Sequence, residues 1–126
     1  MKGYYIAVDM DHMGDQWLLT YDVRGSDRGT AVRVCQVIFG RKNSTTKEGR
    51  PWTYDQPGFI HRPGVVWVGQ SVLILPRGDA IELRGILERL GALVGVGHLS
   101  IDEPSLAVFR RHSRTRKSRA RAQLTC

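Results

Sequence analysis

The sequence predicts a single α+β domain built around an antiparallel β-sheet. Three observations predict this class. Short segments rich in β-formers alternate with segments of helical periodicity. The clearest helical stripe, Leu83, Ile86, Leu87 and Leu90, lies between two apolar runs. A chain of 126 residues with 41% hydrophobic content suffices for one modest core.

The N-terminal part contains two predicted strands. Residues 4–8 are short and β-rich, and residues 17–23 are longer and richer still. The connection between them, residues 9–15, is polar. The two strands could form a hairpin, or the first could pair with a late strand.

A helix and a long loop follow. Ala31, Val34, Cys35 and Ile38 recur at helical spacing, and Gly40 is a suitable end for that helix. Residues 41–64 show no clear period and contain six Gly and Pro residues, so they are predicted to form a long loop. Loops of more than roughly 12–15 residues within a compact domain are usually functional or mobile.

The second half begins with the strongest apolar run, residues 65–76, which is too long for one ordinary strand. Gly69-Gln70-Ser71 predicts a turn that divides it into two strands. A helix over residues 79–90 is favoured by its stripe and by the C-terminal Gly91. Residues 93–101 and 105–109 then read as two further strands.

This order contains two β-α-β units. It predicts a ferredoxin-like βαββαβ fold, in which four antiparallel strands carry both helices on one face. Extra terminal strands and the loop at 41–64 would be added to that sheet. Residues 1–109 are expected to form the single domain, and residues 110–126 a basic, flexible tail.

The net charge of +7 comes entirely from that C-terminal segment. Of the 19 basic residues, seven lie between positions 110 and 121, and the remaining twelve balance the 12 acidic residues. The neutral body argues against a broad basic surface. The segment itself suits contact with phosphates. Its basic residues are Arg110, Arg111, Arg114, Arg116, Lys117, Arg119 and Arg121.

The cellular compartment is predicted from the absence of membrane-span, secretory-signal and disulfide patterns in the sequence. No apolar run reaches the roughly 18 residues of a membrane span, and no secretory signal pattern is visible at the N-terminus. The two cysteines have no metal-type spacing and indicate no disulfide framework. We expect a cytoplasmic protein without a membrane partner.

Two short motifs resemble a known family. Tyr21-Asp22-Val23 ends a predicted strand, and Val68-Gly69-Gln70-Ser71-Val72-Leu73 spans a predicted hairpin before a helix. Over roughly residues 16–101 the chain resembles the smaller protein of the CRISPR spacer-adaptation complex and the related VapD-type toxin ribonucleases. The resemblance implies a ferredoxin-like homodimer. Residues 1–15, the loop at 41–64 and the basic tail are additions to the family's pattern.

The same resemblance makes Asp22 the candidate catalytic residue. In the family, the matching aspartates of two subunits face each other and are proposed to hold a divalent metal. Mg²⁺ or Mn²⁺ bound there would activate water for phosphodiester cleavage. Asp9 and Asp11 are further candidate ligands if they lie beside Asp22. The alternative is that Asp22 caps a turn and that residues 9–15 are simply polar.

The loop at 41–64 is a second candidate for nucleic-acid binding. Its aromatic residues, including Trp52, alternate with basic residues. The rings could stack on unpaired bases while Arg50 and Arg62 contact phosphates. Alternatively, the rings fold back over the core.

The function that these observations favour is nucleic-acid binding, with an endonuclease activity at Asp22 as one possibility. A toxin-like ribonuclease is a related hypothesis. A non-catalytic assembly or docking factor is the alternative from a different class, in which the arginine-rich tail threads into an RNA- or DNA-containing complex.

Overall fold

The computed structural model describes residues 15–23 and 28–123, with side chains through residue 119. The strand predicted at residues 4–8, together with Asp9 and Asp11, lies outside these residues. The strands are β1 (Gln16–Asp22), β2 (Gly40–Lys47), β3 (Arg50–Pro57), β4 (Val66–Gly69), β5 (Val72–Pro76) and β6 (Leu93–Leu99). The helices are α1 (Arg28–Phe39), α2 (Arg77–Arg89) and α3 (Glu103–Gln123), with a 3₁₀ turn at Phe59–His61.

The predicted α+β class with antiparallel pairing is confirmed. Four strands form one sheet in the order β4-β5-β1-β6, and every neighbouring pair is antiparallel. Strands β2 and β3 form a separate two-stranded sheet. The strands predicted within 17–23, 65–76 and 93–101 and both predicted helices are present, with boundaries shifted by a few residues.

Alternation along the strands divides the apolar side chains between the two faces of the sheet. On one face, Leu19, Leu73 and Leu75 are fully buried against α1 and α2. On the other face, Ile74 and Val66 pack with Leu106 of α3. The four-stranded sheet therefore lies between α1 and α2 on one side and α3 on the other.

The loop predicted at 41–64 is wrong for most of its length. Residues 40–57 form a regular β-hairpin with strands of eight residues each, joined by the two-residue turn Glu48-Gly49. Both turn residues have positive φ, 53° and 77°, which is the requirement of the type I′ turn preferred in such hairpins. The strands were missed because both faces are exposed, so no hydrophobic alternation marks them.

The strand predicted at 105–109 is also wrong. Residues 103–123 form the single helix α3, which crosses the predicted domain boundary between residues 109 and 110. Leu106 is buried and Phe109 half-buried. With Ser113, these residues recur at i, i+3 and i+7 and mark the inner face of a helix. Where the sequence predicted a flexible tail from residue 110, the backbone is therefore helical through Gln123.

Candidate nucleic-acid interface

Helix α3 begins with strong local signals. The Asp102 carboxylate accepts a hydrogen bond of 2.8 Å from the Ser105 backbone N–H, the standard N-cap geometry. This bond lowers the pKa of Asp102. The negative charge of Glu103 interacts favourably with the positive N-terminal end of the helix dipole. Pro104 lies in the first turn, where a backbone N–H would have no partner within the helix. The sequence Asp-Glu-Pro-Ser could have predicted this start.

Polar side chains of α3 form hydrogen bonds with backbone groups at the edge strand β4. The Trp67 backbone N–H donates a 2.8 Å hydrogen bond to the Ser113 hydroxyl, and the Trp67 carbonyl accepts one of 3.3 Å from Arg116. The Lys117 ammonium donates to the Val65 carbonyl at 2.9 Å. Burial at this position lowers the pKa of Lys117. Backbone groups that an edge strand would expose are thus satisfied by the helix.

The predicted phosphate-binding residues of the basic segment therefore fall into two groups. Arg116 and Lys117 point toward the body, and half-buried Arg110 lies 3.9 Å from Glu103 on the same helix. Arg111, Arg114 and Arg119 are exposed to solvent. The Arg121 side chain lies outside the described residues. The exposed group, which we call the solvent arginines of α3, forms the first part of the candidate interface.

The hairpin supplies the second part. Every residue of β3 is exposed, including Arg50, and the large aromatic residues Trp52 and Tyr54 are 49% and 48% exposed. The rings therefore do not cover the core, the alternative that the sequence left open for them. Phe59, by contrast, is only 6% exposed and belongs to the core.

Arg62 occupies a different environment from the other predicted nucleic-acid contacts. Its guanidinium stands 3.8 Å from the Phe59 ring and bonds the Asp79 carboxylate at 3.0 Å and Glu82 at 2.9 and 3.2 Å. The hydrogen bond with Glu82 raises the pKa of Arg62 and lowers that of Glu82. This network ties the 3₁₀ turn to the start of α2, so the Arg62 charge is already balanced.

Asp22 lies at the end of β1, exposed, on the rim of a shallow depression of about 590 Å³. Glu88 of α2 borders the same depression, together with Thr20 and Gly95. Two carboxylates are a partial ligand set for a hard cation such as Mg²⁺. Within residues 15–23 and 28–119, no three His, Cys, Asp or Glu side chains gather closely enough to hold a metal ion together.

Among the described residues, no helix combines the length and apolar character needed to cross a membrane. The chain matches no protein-family model, and no curated protein or solved structure matches it at a significant level.

Proposed function

We propose that this chain binds nucleic acid and that α3 is the element that contacts phosphates. The observation that carries the proposal is that one side of this helix is bound to the body while the other side exposes arginine side chains to solvent. Ser113, Arg116 and Lys117 anchor α3 to β4, while Arg111, Arg114 and Arg119 remain exposed. Held on an ordered helix, these guanidinium groups lose less conformational freedom on binding than they would on a disordered chain.

A salt titration tests this proposal. Replacing Arg111, Arg114 and Arg119 together with Gln should weaken binding to an oligonucleotide. It should also make the slope of log affinity against log salt shallower by roughly 2–3, because each phosphate contact contributes about 0.9. Replacing exposed Arg28, Arg33 and Arg77 with Gln is the matched control, since it removes the same charge elsewhere. Equal slopes for both triple variants would contradict the proposal.

For the fold, we propose a ferredoxin-like architecture interrupted by the hairpin. Without β2 and β3, the main-sheet strands follow one another as β1, β4, β5 and β6, with α1 after the first and α2 before the last. Their spatial order, second-third-first-fourth, supports a split β-α-β arrangement. A relationship to the CRISPR adaptation protein and to toxin ribonucleases remains part of this proposal.

A homodimer is the oligomeric state that we propose. Strand β6 pairs with β1 on one side, and in the described part of the chain no strand pairs with its other side. Its first residue, Leu93, is 56% exposed. Self-pairing through β6 would cover this edge. Light scattering at tens of micromolar should give the dimer mass, and a monomer would contradict the proposal.

Metal-dependent phosphodiester cleavage at Asp22 is the second candidate function. It is favoured by the exposure of Asp22 at a strand end and by Glu88 on the same depression. Mg²⁺ or Mn²⁺ would supply an activated water there. Because Asp22 and Glu88 are the two carboxylates that the described residues of one chain bring to this depression, a second copy's Asp22 would complete the site. The non-catalytic alternative is a docking factor that uses the same solvent arginines.

A further inference from the structure

The β2–β3 hairpin forms an arm of its own. Its two strands pair with each other along their whole length and with no strand of the main sheet. All sixteen strand residues except Gly40 and Asn43 are exposed. A two-stranded hairpin that buries no apolar face contributes little to a core. Its two surfaces are therefore available for contacts with a partner.

The two surfaces of the arm differ in chemistry. Residues paired across antiparallel strands share a face, so the register assigns each side chain to one surface. One surface, which we call the basic–aromatic face, carries Arg41, Asn43, Thr45, Lys47, Arg50, Trp52, Tyr54 and Gln56. The opposite surface carries Lys42, Ser44, Thr46, Thr53 and Asp55. The first has three positive charges and no negative charge, whereas Lys42 and Asp55 balance on the second.

Contacts within the basic–aromatic face support this assignment. The Lys47 ammonium lies 5.2 Å from the centre of the Trp52 ring, a cation–π contact. The Gln56 side-chain oxygen accepts hydrogen bonds from Arg41 at 3.4 Å and from Asn43. The first contact holds a cation beside a ring, and the second orders Arg41, before any partner arrives, which reduces the entropy lost on binding.

The spacing of the rings suits successive bases. Trp52 and Tyr54 are two residues apart on one strand, so their attachment points lie about 7 Å apart. Aromatic faces stack on bases of any sequence, and flanking cations track the backbone phosphates. In duplex DNA the base faces are already stacked on each other. The combination of exposed rings and cations therefore favours an unpaired strand over a duplex, and over a protein partner with an apolar surface.

The base of the arm is closely packed and lies next to a ring contact with the body. Gly40 has φ of +96°, and a Cβ there would lie 2.6 Å from the Gln56 carbonyl oxygen. Phe39, directly before the arm, packs edge-on against Trp67 with ring centroids 4.9 Å apart. Trp67 is also the residue whose backbone binds Ser113 and Arg116 of α3. The end of α1, which leads into the arm, and α3 therefore both contact Trp67 of β4.

We propose that the basic–aromatic face of the arm binds unpaired nucleotides in single-stranded DNA or RNA. This inference rests on the proposed nucleic-acid function and adds its substrate class: Trp52 and Tyr54 stack on bases, while Arg41, Lys47 and Arg50 contact phosphates.

The test uses the full chain and fluorescent oligomers of roughly 12 nucleotides, as single-stranded DNA, single-stranded RNA and duplex DNA. The double variant Trp52→Ala/Tyr54→Ala should bind single strands at least about 10-fold more weakly, because stacking on each ring is lost. Duplex affinity should change by less than about twofold, since base faces within a duplex are not accessible for stacking. Comparing the DNA and RNA single strands shows which of the two the arm prefers.

Two further variants make the test specific. Stacking of a base on Trp52 should quench its fluorescence when a single strand binds. Trp52→Phe retains a ring, so it should largely preserve affinity while removing this contribution to the quenching. The double variant Ser44→Ala/Thr53→Ala changes two residues that are paired with each other on the opposite surface of the arm. Because that surface is not proposed to contact the oligomer, this control should bind with wild-type affinity.

The outcomes separate this inference from the proposed function. If the Trp52/Tyr54 variant binds single strands normally while the solvent-arginine variant is weakened, the arm proposal fails and the helix proposal stands. The basic–aromatic face would then serve another partner, such as a protein. If the wild-type chain binds none of the oligomers, both proposals fail.

Discussion

The Trp67 backbone N–H donates a hydrogen bond of 2.8 Å to the hydroxyl of Ser113, 46 residues further along the chain. Ser113 is only 2% exposed, although it lies within the most basic stretch of the sequence. The bond joins the C-terminal helix to the edge of the sheet. Arg116 and Lys117 extend the same attachment to neighbouring carbonyl groups. The basic segment therefore has a structural role as well as a proposed binding role.

The first prediction concerns this bond. Ser113→Ala should lower the free energy of unfolding by about 1–3 kcal/mol, because the Trp67 N–H at a partly buried position loses its acceptor. Urea unfolding gives the value. Ser118→Ala is the matched control, since Ser118 is exposed on the same helix and should change stability little. Equal stability of the two variants would show that the Ser113 bond contributes nothing measurable.

The second prediction concerns the removal of residues 110–126. From the sequence alone, a chain ending at Phe109 should stay folded and lose most of its nucleic-acid affinity. The structure adds that such a chain also loses Ser113, Arg116 and Lys117, leaving the outer edge of β4 uncovered. We expect a lower thermal midpoint and concentration-dependent association, as exposed edge strands favour. Light scattering across a dilution series measures the association.

This prediction has a clear opposing result. A shortened chain that unfolds at the wild-type temperature, and stays at the wild-type mass at every concentration, would show that α3 beyond Phe109 does not protect the sheet edge.

The third prediction is a dependence of stability on pH at the start of α3. The Ser105 N–H lowers the pKa of Asp102 below its ordinary value of 3.8. The stabilisation from the ionised cap is therefore complete above that ordinary value and is lost as pH falls through the lower folded pKa. Asp102→Asn retains an acceptor for the cap but removes the titration.

Unfolding curves from pH 6 down to the acid limit measure this effect. The difference in stability between the wild type and Asp102→Asn should shrink as the pH falls, while Asp102→Ala should be less stable than both at neutral pH. A constant difference between the wild type and Asp102→Asn across this range would contradict the pKa assignment.

The main sheet was predictable because burial leaves a pattern in the sequence. Leu19, Leu73 and Leu75 are fully buried, and Leu83 and Leu87 follow the helical period of the α2 core face. The turn at 69–71 was likewise recognisable from its residue types. These elements combine strong periodicity with local turn signals, so propensity and packing agree.

The hairpin and α3 were not predicted because their patterns are weaker. The arm is exposed on both surfaces, so only local signals remain, namely the β-formers around Trp52 and the glycine at position 49. In α3 the apolar run 106–109 has the composition of a short strand. Of the three residues on the inner face of the helix, Leu106 and Phe109 are apolar but Ser113 is polar, so the helical period is incomplete in the sequence. The division between anchoring and exposed basic residues depends on contacts with β4, which sequence spacing does not encode.

The last prediction concerns Asp22 and the second candidate function. If the depression beside β1 holds Mg²⁺ or Mn²⁺, Asp22→Ala should reduce metal-dependent cleavage of an oligonucleotide by about 100-fold or more, because a ligand is lost. Asp22→Asn should have a similar effect, since it removes the negative charge while keeping the shape. Asp22 is exposed, so both variants should unfold at nearly the wild-type temperature.

Asp55→Asn, which neutralises an exposed carboxylate on the arm, is the matched control and should cleave normally. Cleavage is measured on gels with metal and with chelator. Full activity in the Asp22 variants, or no metal-dependent cleavage by the wild type, would exclude Asp22 as a catalytic residue and favour the non-catalytic docking factor.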